Sequence, residues 1–140
     1  MSKSRSGARR LLVQALYQNQ LAEHDLEQLR EQFAEYPNYA NADTDYFHTL
    51  LEEIDSDREA LDSVIEEFGE ISVEKLDPVE RAVLWVALAE LKFHTDVPPK
   101  VVISEAIKQA KLFGAEGGHR YVNGLLDKAA ADVLNKSGQS

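Results

Sequence analysis

Residues 76–91 read Leu76-Asp77-Pro78-Val79-Glu80-Arg81-Ala82-Val83-Leu84-Trp85-Val86-Ala87-Leu88-Ala89-Glu90-Leu91. Three signals open a helix here. Asp77 is an N-cap whose carboxylate can accept a free backbone N–H, Pro78 stands at the first helical position, where no N–H is required, and Glu80 follows three residues after the cap. Beyond them, out to Phe93, apolar side chains fall on nearly every side (Val83, Leu84, Trp85, Val86, Leu88, Leu91). A surface helix keeps a polar face; one that lacks it has to be covered by neighbours all round. The stretch predicts a central helix over 78–93 inside a fold made of helices.

The neighbouring segments supply that cover. Apolar residues recur at helical spacing almost everywhere, and no stretch alternates with period two. A first helix is expected over about 8–22. A second, after Asp25, fades at Glu35 before Tyr36-Pro37-Asn38. The loop 37–42 leads to Asp43, a cap for a helix with the stripe Phe47, Leu50, Leu51, Ile54. Leu61, Val64, Ile65 and Phe68 repeat that stripe, and the capping box Ser56-x-x-Glu59 predicts a break near Asp55. After Pro98-Pro99 come Val102, Ile103, Ala106, Ile107 and Ala110, with Gly114 placed as the C′ residue. A last helix, about 118–134, carries Val122, Leu125, Leu126, Ala129 and Val133. The expected fold class is all-α, a compact bundle of six or seven helices forming a single domain over 1–140. A flexible basic arm over 1–7 and a frayed tail over 136–140 complete it.

Composition narrows the function. With 140 residues, 44% apolar and 29% charged, the chain reads as soluble and globular. It has no cysteine, which excludes disulfides, thiolate metal sites and cysteine nucleophiles. The polar, basic start has no apolar run behind it, and no segment approaches the roughly 18–20 apolar residues of a membrane span. A cytoplasmic, membrane-free protein is expected. The formal charge of −10 is unevenly spread, with +4 over residues 1–21, −16 over 22–80 and +2 over 81–140. A polyanionic partner is therefore not excluded, but it is confined to a basic face. Solvated helix surfaces with a basic tail would produce the same distribution.

Catalytic constellations are missing. His24, His48, His94 and His119 make no i, i+4 pair. Asp55, Asp57, Glu59 and Glu66 fall at EF-hand spacings, but Ala60 stands where the calcium loop needs glycine. Gly114 to Gly118 lacks both the preceding strand and the Lys-Ser/Thr of a phosphate loop. No enzyme, cofactor or metal is expected.

Two helical stretches carry a different chemistry. In Arg9-Arg10-Leu11-Leu12-Val13-Gln14-Ala15-Leu16-Tyr17, a rotation of about 100° per residue gathers Ala8, Leu11, Leu12, Ala15 and Leu16 on one side. Arg10, Gln14 and Tyr17 lie together on the opposite side. Tyr17 either packs under a neighbouring helix with Leu21 or forms an aromatic platform beside a cation. Single-stranded RNA needs the latter, since phosphates seek Arg or Lys and unstacked bases seek a flat ring. In the last helix Tyr121 borders the apolar stripe, flanked by Arg120, with Gly124 and Lys128 one and two turns along. Gly124 would admit another helix or a ligand backbone.

These stretches, with residues 76–91 and Val97-Pro98-Pro99 through Lys128, resemble the NusB family of bacterial transcription antitermination factors. The resemblance runs from Arg9 to Lys128. NusB-like modules also begin some RNA cytosine methyltransferases, but an end at residue 140 is expected to leave no room for their catalytic domain. The resemblance implies two small helical subdomains and a non-enzymatic factor. Its partners would be boxA-type single-stranded RNA, the ribosomal protein NusE, other Nus factors and RNA polymerase, with read-through notably in ribosomal RNA operons. Carried onto this chain, the family's RNA surface implies Arg5, Arg9, Arg10, Tyr17 and Tyr121. Gln14, Arg120 and Lys128 join them from the helical pattern, and Glu80 is placed at the RNA or NusE edge or acts as a capping-box residue. Two departures stand out. The arm Ser2-Lys3-Ser4-Arg5-Ser6-Gly7 is sparse in arginine, and Gly117 replaces a residue that is acidic in some members. The rival is a helical protein–protein adaptor or homodimer in which Tyr17 and Tyr121 lie buried in an interface.

Overall fold

The computed structural model describes residues 3–22, 24–114 and 116–138, with side chains as far as Val133. Among these residues the chain forms six helices: α1 (Arg5–Ala22), α2 (Leu26–Phe33), α3 (Thr44–Gly69), α4 (Pro78–Phe93), α5 (Pro99–Phe113) and α6 (Gly118–Gly138). Two single 3-10 turns, Tyr39–Asn41 and Val73–Lys75, bracket α3. The all-α expectation holds, with six helices. None of them is long and apolar enough to cross a membrane.

The central position of α4 follows from its sequence. Asp77 caps it by accepting the Val79 N–H at 2.8 Å. From Ala82 to Leu91 every side chain is buried, and α4 packs against α1, α3, α5 and α6. At roughly 1.5–3 kcal/mol for each fully buried large apolar side chain, this helix and its neighbours dominate the core. Its one indole is satisfied: Trp85 Nε1 donates to Asp62 at 2.9 Å. The guanidinium groups of Arg58 and Arg81 lie over the ring at 4.7 and 4.8 Å. Helix α1 packs on α3, α4 and α5, and α6 packs on the same three helices, so α4 touches every long neighbour.

Four expectations are corrected. The break near Asp55 is absent, because Ile54 and Leu61 are two turns apart and keep one unbroken stripe against the core. Ser56 and Glu59 are ordinary exposed positions on that helix. The arm is not free from Ser4 onward: the Ser4 N–H donates to the Asn41 carbonyl, and the Ser4 carbonyl accepts the Asp43 N–H at 2.9 Å. Helix α1 accordingly starts at Arg5; Met1 and Ser2 lie outside the described residues. The last helix continues through 136–138, while 139–140 lie outside the described residues. Finally, Gly114 does not adopt the left-handed conformation. Its backbone is extended and a Cβ there would stand 2.6 Å from the Ala110 carbonyl oxygen, so glycine serves a close approach. Positive φ falls instead at Gly117 (85°) and at Glu70 (60°), which closes α3.

Candidate nucleic-acid interface

The first turn of α4 is where the two aromatic neighbourhoods of the sequence meet. On one side, Gln20 of α1 donates to the Pro78 carbonyl at 2.8 Å, holding α1 against the start of α4. That places Val79 in a groove of about 440 Å³ with Val13, Gln14, Tyr17 and Leu21 of α1, Tyr36 and Phe113. Tyr17 is 39% exposed, so its ring is partly supported and partly open to solvent. It is no core residue. Gln14 donates weakly to the Arg10 carbonyl one turn back, at 3.4 Å, and Arg10 forms no ion pair among the described residues. Tyr36, Val79 and Phe113 are not singled out by sequence. Each sits at an element boundary, where periodicity says least about neighbours.

On the other side of the same turn, Glu80 is buried with its carboxylate against Gly118, where a Cβ would stand 2.8 Å from Oε2. It thus reaches across to the start of α6 instead of closing a capping box with Asp77. Burial, and secondarily the charge of Asp77, raise its pKa above the ordinary carboxylate value. Tyr121 is half-buried; its hydroxyl lies against Gly69, and its pKa is raised by burial and then by the Glu80 charge. The hydroxyl is buried and finds no hydrogen-bond partner among the described residues. Arg120 and Lys128 are exposed without ion pairs among the described residues, whereas Gly124 meets nothing within 4 Å, so no helix packs closely there.

The remaining arginines are elsewhere. Arg9 is 5% exposed and donates through Nε and Nη2 to both oxygens of Glu90, at 2.7 and 2.8 Å. Glu90 is itself 1% exposed and also accepts the Tyr46 hydroxyl at 2.7 Å. Burial alone would lower the Arg9 pKa, but the bond and charge of Glu90 outweigh it and raise it; burial and the same carboxylate raise that of Tyr46. Arg9 is therefore a core ion pair, and the expectation that it joins the basic surface is corrected. Helical rotation puts it about 100° from Arg10, on the side facing α4 and α5. Arg5 is exposed but engaged, 3.9 Å from Asp43, 3.7 Å from Asp96 and 4.4 Å over the Tyr46 ring. It lies about 18 Å along α1 from Tyr17. Of the predicted residues, then, Arg10, Gln14 and Tyr17 share one face, Glu80 and Tyr121 adjoin it through α4, and Arg5 and Arg9 stand apart.

The NusB family model matches residues 6–131. The transcription antitermination protein NusB of Teredinibacter turnerae is 44% identical over 131 residues, 93% of this chain and 89% of that protein. Its counterpart in Shewanella pealeana is 43% identical over 127 residues, 91% of this chain and 94% of its own. Among solved structures, T. maritima NusB superposes with a TM-score of 0.84 at 31% identity, covering both chains completely. A chain from a crystal structure of the antitermination factors NusB and NusE in complex with dsRNA gives 0.83 at 29% identity, covering 91% of this chain and 96% of its own.

Proposed function

This chain belongs to the NusB family of transcription antitermination proteins, and from that premise we propose that it binds boxA-type single-stranded RNA together with NusE. Bound so, with other Nus factors, it helps RNA polymerase in the cytoplasm read through terminators, notably in ribosomal RNA operons. The observation that carries this reading is the open Tyr17 ring two turns from the unpaired Arg10 on the same helical face, on a chain whose net charge is −10. A flat ring can stack an unpaired base, worth roughly 1–3 kcal/mol, while the neighbouring guanidinium takes a phosphate. Tyr121 supplies the second aromatic edge and Arg120 and Lys128 its cations. The solved relative bound to NusE and dsRNA supports an RNA partner and NusE. Duplex RNA hides its bases, however, and an exposed tyrosine favours splayed single strands.

Protein and RNA would be coupled through one surface, so NusE and RNA should each tighten the other by the same factor. Titrating a boxA-like single strand and its duplex, with and without NusE at two salt concentrations, tests this. Tighter binding of the single strand, enhanced by NusE, is expected. Absence of RNA binding even with NusE at low salt overturns the proposal in favour of a protein–protein adaptor. Tyr17→Ala should weaken the single strand by roughly tenfold, the stacking of one base, without changing the helical spectrum.

A further inference from the structure

Most arginines of this chain, and one lysine, are engaged by its own carboxylates. Arg5, Arg9, Arg30, Arg58, Arg81 and Lys92 each face a carboxylate within 4 Å. The basic N-terminus is thus poorer in available charge than its sequence suggests: of the three arginines at 5, 9 and 10, two are engaged. Lys108 and Lys111 of α5, by contrast, are exposed and have no ion pair among the described residues. Their position relative to Arg10 is set by packing. Helices α1 and α5 run side by side in the same direction: Ser6 and Arg9 meet Glu105, while Val13, Gln14 and Tyr17 share a groove with Phe113. Ser6 donates to Glu105 at 3.0 Å and accepts from Lys108 at 3.1 Å. Ser6 and Arg10 are one turn apart on α1 and share a face, so Lys108 flanks the row that Arg10, Gln14 and Tyr17 occupy. Glu105 is engaged by Ser6 and lies 3.7 Å from Arg9, and Lys108 reaches the Ser6 hydroxyl without an ion pair of its own among the described residues.

We infer that α5 forms the second wall of the RNA site, with Lys108 and Lys111 holding backbone phosphates of a strand whose bases meet Tyr17. This rests on the RNA-binding function proposed above. It makes up for the sparse arm: a short arginine run offers few partners to phosphates, and the neighbouring helix supplies two more. In chemical terms the lysines position the strand and carry no base specificity.

The test uses the full chain with NusE and a boxA-like single-stranded RNA, titrated from low to high salt. A double variant, Lys108→Gln with Lys111→Gln, should weaken binding roughly tenfold at low salt and flatten the slope of log K against log salt by about 1.4, two phosphates at about 0.7 each. Replacing both with arginine should restore affinity and slope. Lys100→Gln, at the far end of α5 in a groove with Asp127, should leave both unchanged. If the double variant binds with wild-type affinity and slope while Arg10→Gln weakens binding, the second wall is refuted and the function stands. An equal loss from Lys100→Gln also refutes it, because the effect is then diffuse charge. If the unaltered protein with NusE binds no RNA, the function itself fails.

Discussion

Arg9 and Arg10 are neighbours in sequence and opposites in role. Removing the Arg9 guanidinium strands the Glu90 carboxylate in the core, and a buried charge left without its partner costs about 3–5 kcal/mol. Arg9→Gln should therefore lower the urea midpoint severely. Arg10→Gln should shift stability by no more than about 0.5 kcal/mol and act on RNA affinity alone. The same two measurements on both variants check the assignment; a stable Arg9→Gln protein would show that the pair is not structural. Glu80 offers a test by pH. Its carboxyl has a folded-state pKa above the unfolded value, because burial and then the Asp77 charge disfavour the anion. The folded state thus binds the proton more tightly. The resulting stabilisation is complete below the unfolded pKa and is lost as pH rises through the raised folded value. Glu80→Gln should remove that falling component, so the stability difference between wild type and variant should change with pH just above the usual carboxylate range. A constant difference between about pH 4 and pH 7 would refute the assignment.

Among the elements, α3 tests the sequence signals most directly. Its Ser56-x-x-Glu59 box is a valid start signal in isolation, but no orphan N–H exists in mid-helix for Ser56 to satisfy. A true N-cap serine loses about 0.5–2 kcal/mol on truncation; Ser56→Ala should cost none of this and change the urea midpoint negligibly. The end of α3 is less comfortable. The glycine falls at Gly69, where only a missing side chain admits the Tyr121 hydroxyl and where a Cβ would also stand 2.9 Å from Leu125. Glu70 is left to adopt the left-handed conformation, at roughly 1–2 kcal/mol relative to glycine. Glu70→Gly should stabilise the protein, by less than that figure because the unfolded chain also gains freedom. Denaturant titration should find a rise of up to about 1 kcal/mol. Helix starts at Asp25, Asp43 and Asp77 were legible because each cap is a local feature, and the structure shows all three side chains bonded as caps. The continuity of α3 was not, since it depends on what the stripe packs against.

For the whole molecule the decisive quantity is where charge remains uncompensated. Helix α3 alone carries nine acidic residues and one arginine, so the fold holds together against its own repulsion. Raising salt screens that repulsion and should raise the melting temperature, while it makes counterion release less favourable and weakens RNA binding. Opposite salt responses of the two measurements are expected; a melting temperature that falls with salt would mean that the surface ion pairs outweigh the repulsion. The sequence by itself determined the all-helical class, the capped helix starts, the central place of α4 and the shared face of Arg10, Gln14 and Tyr17, because all of these depend on spacing within one turn or two of the chain. Only the tertiary structure decided which cations are free. Arg9 finds Glu90 81 residues away, and Lys108 meets Ser6 102 residues away. No local period encodes a partner at that separation; packing of α1 between α4 and α5 brings it within reach.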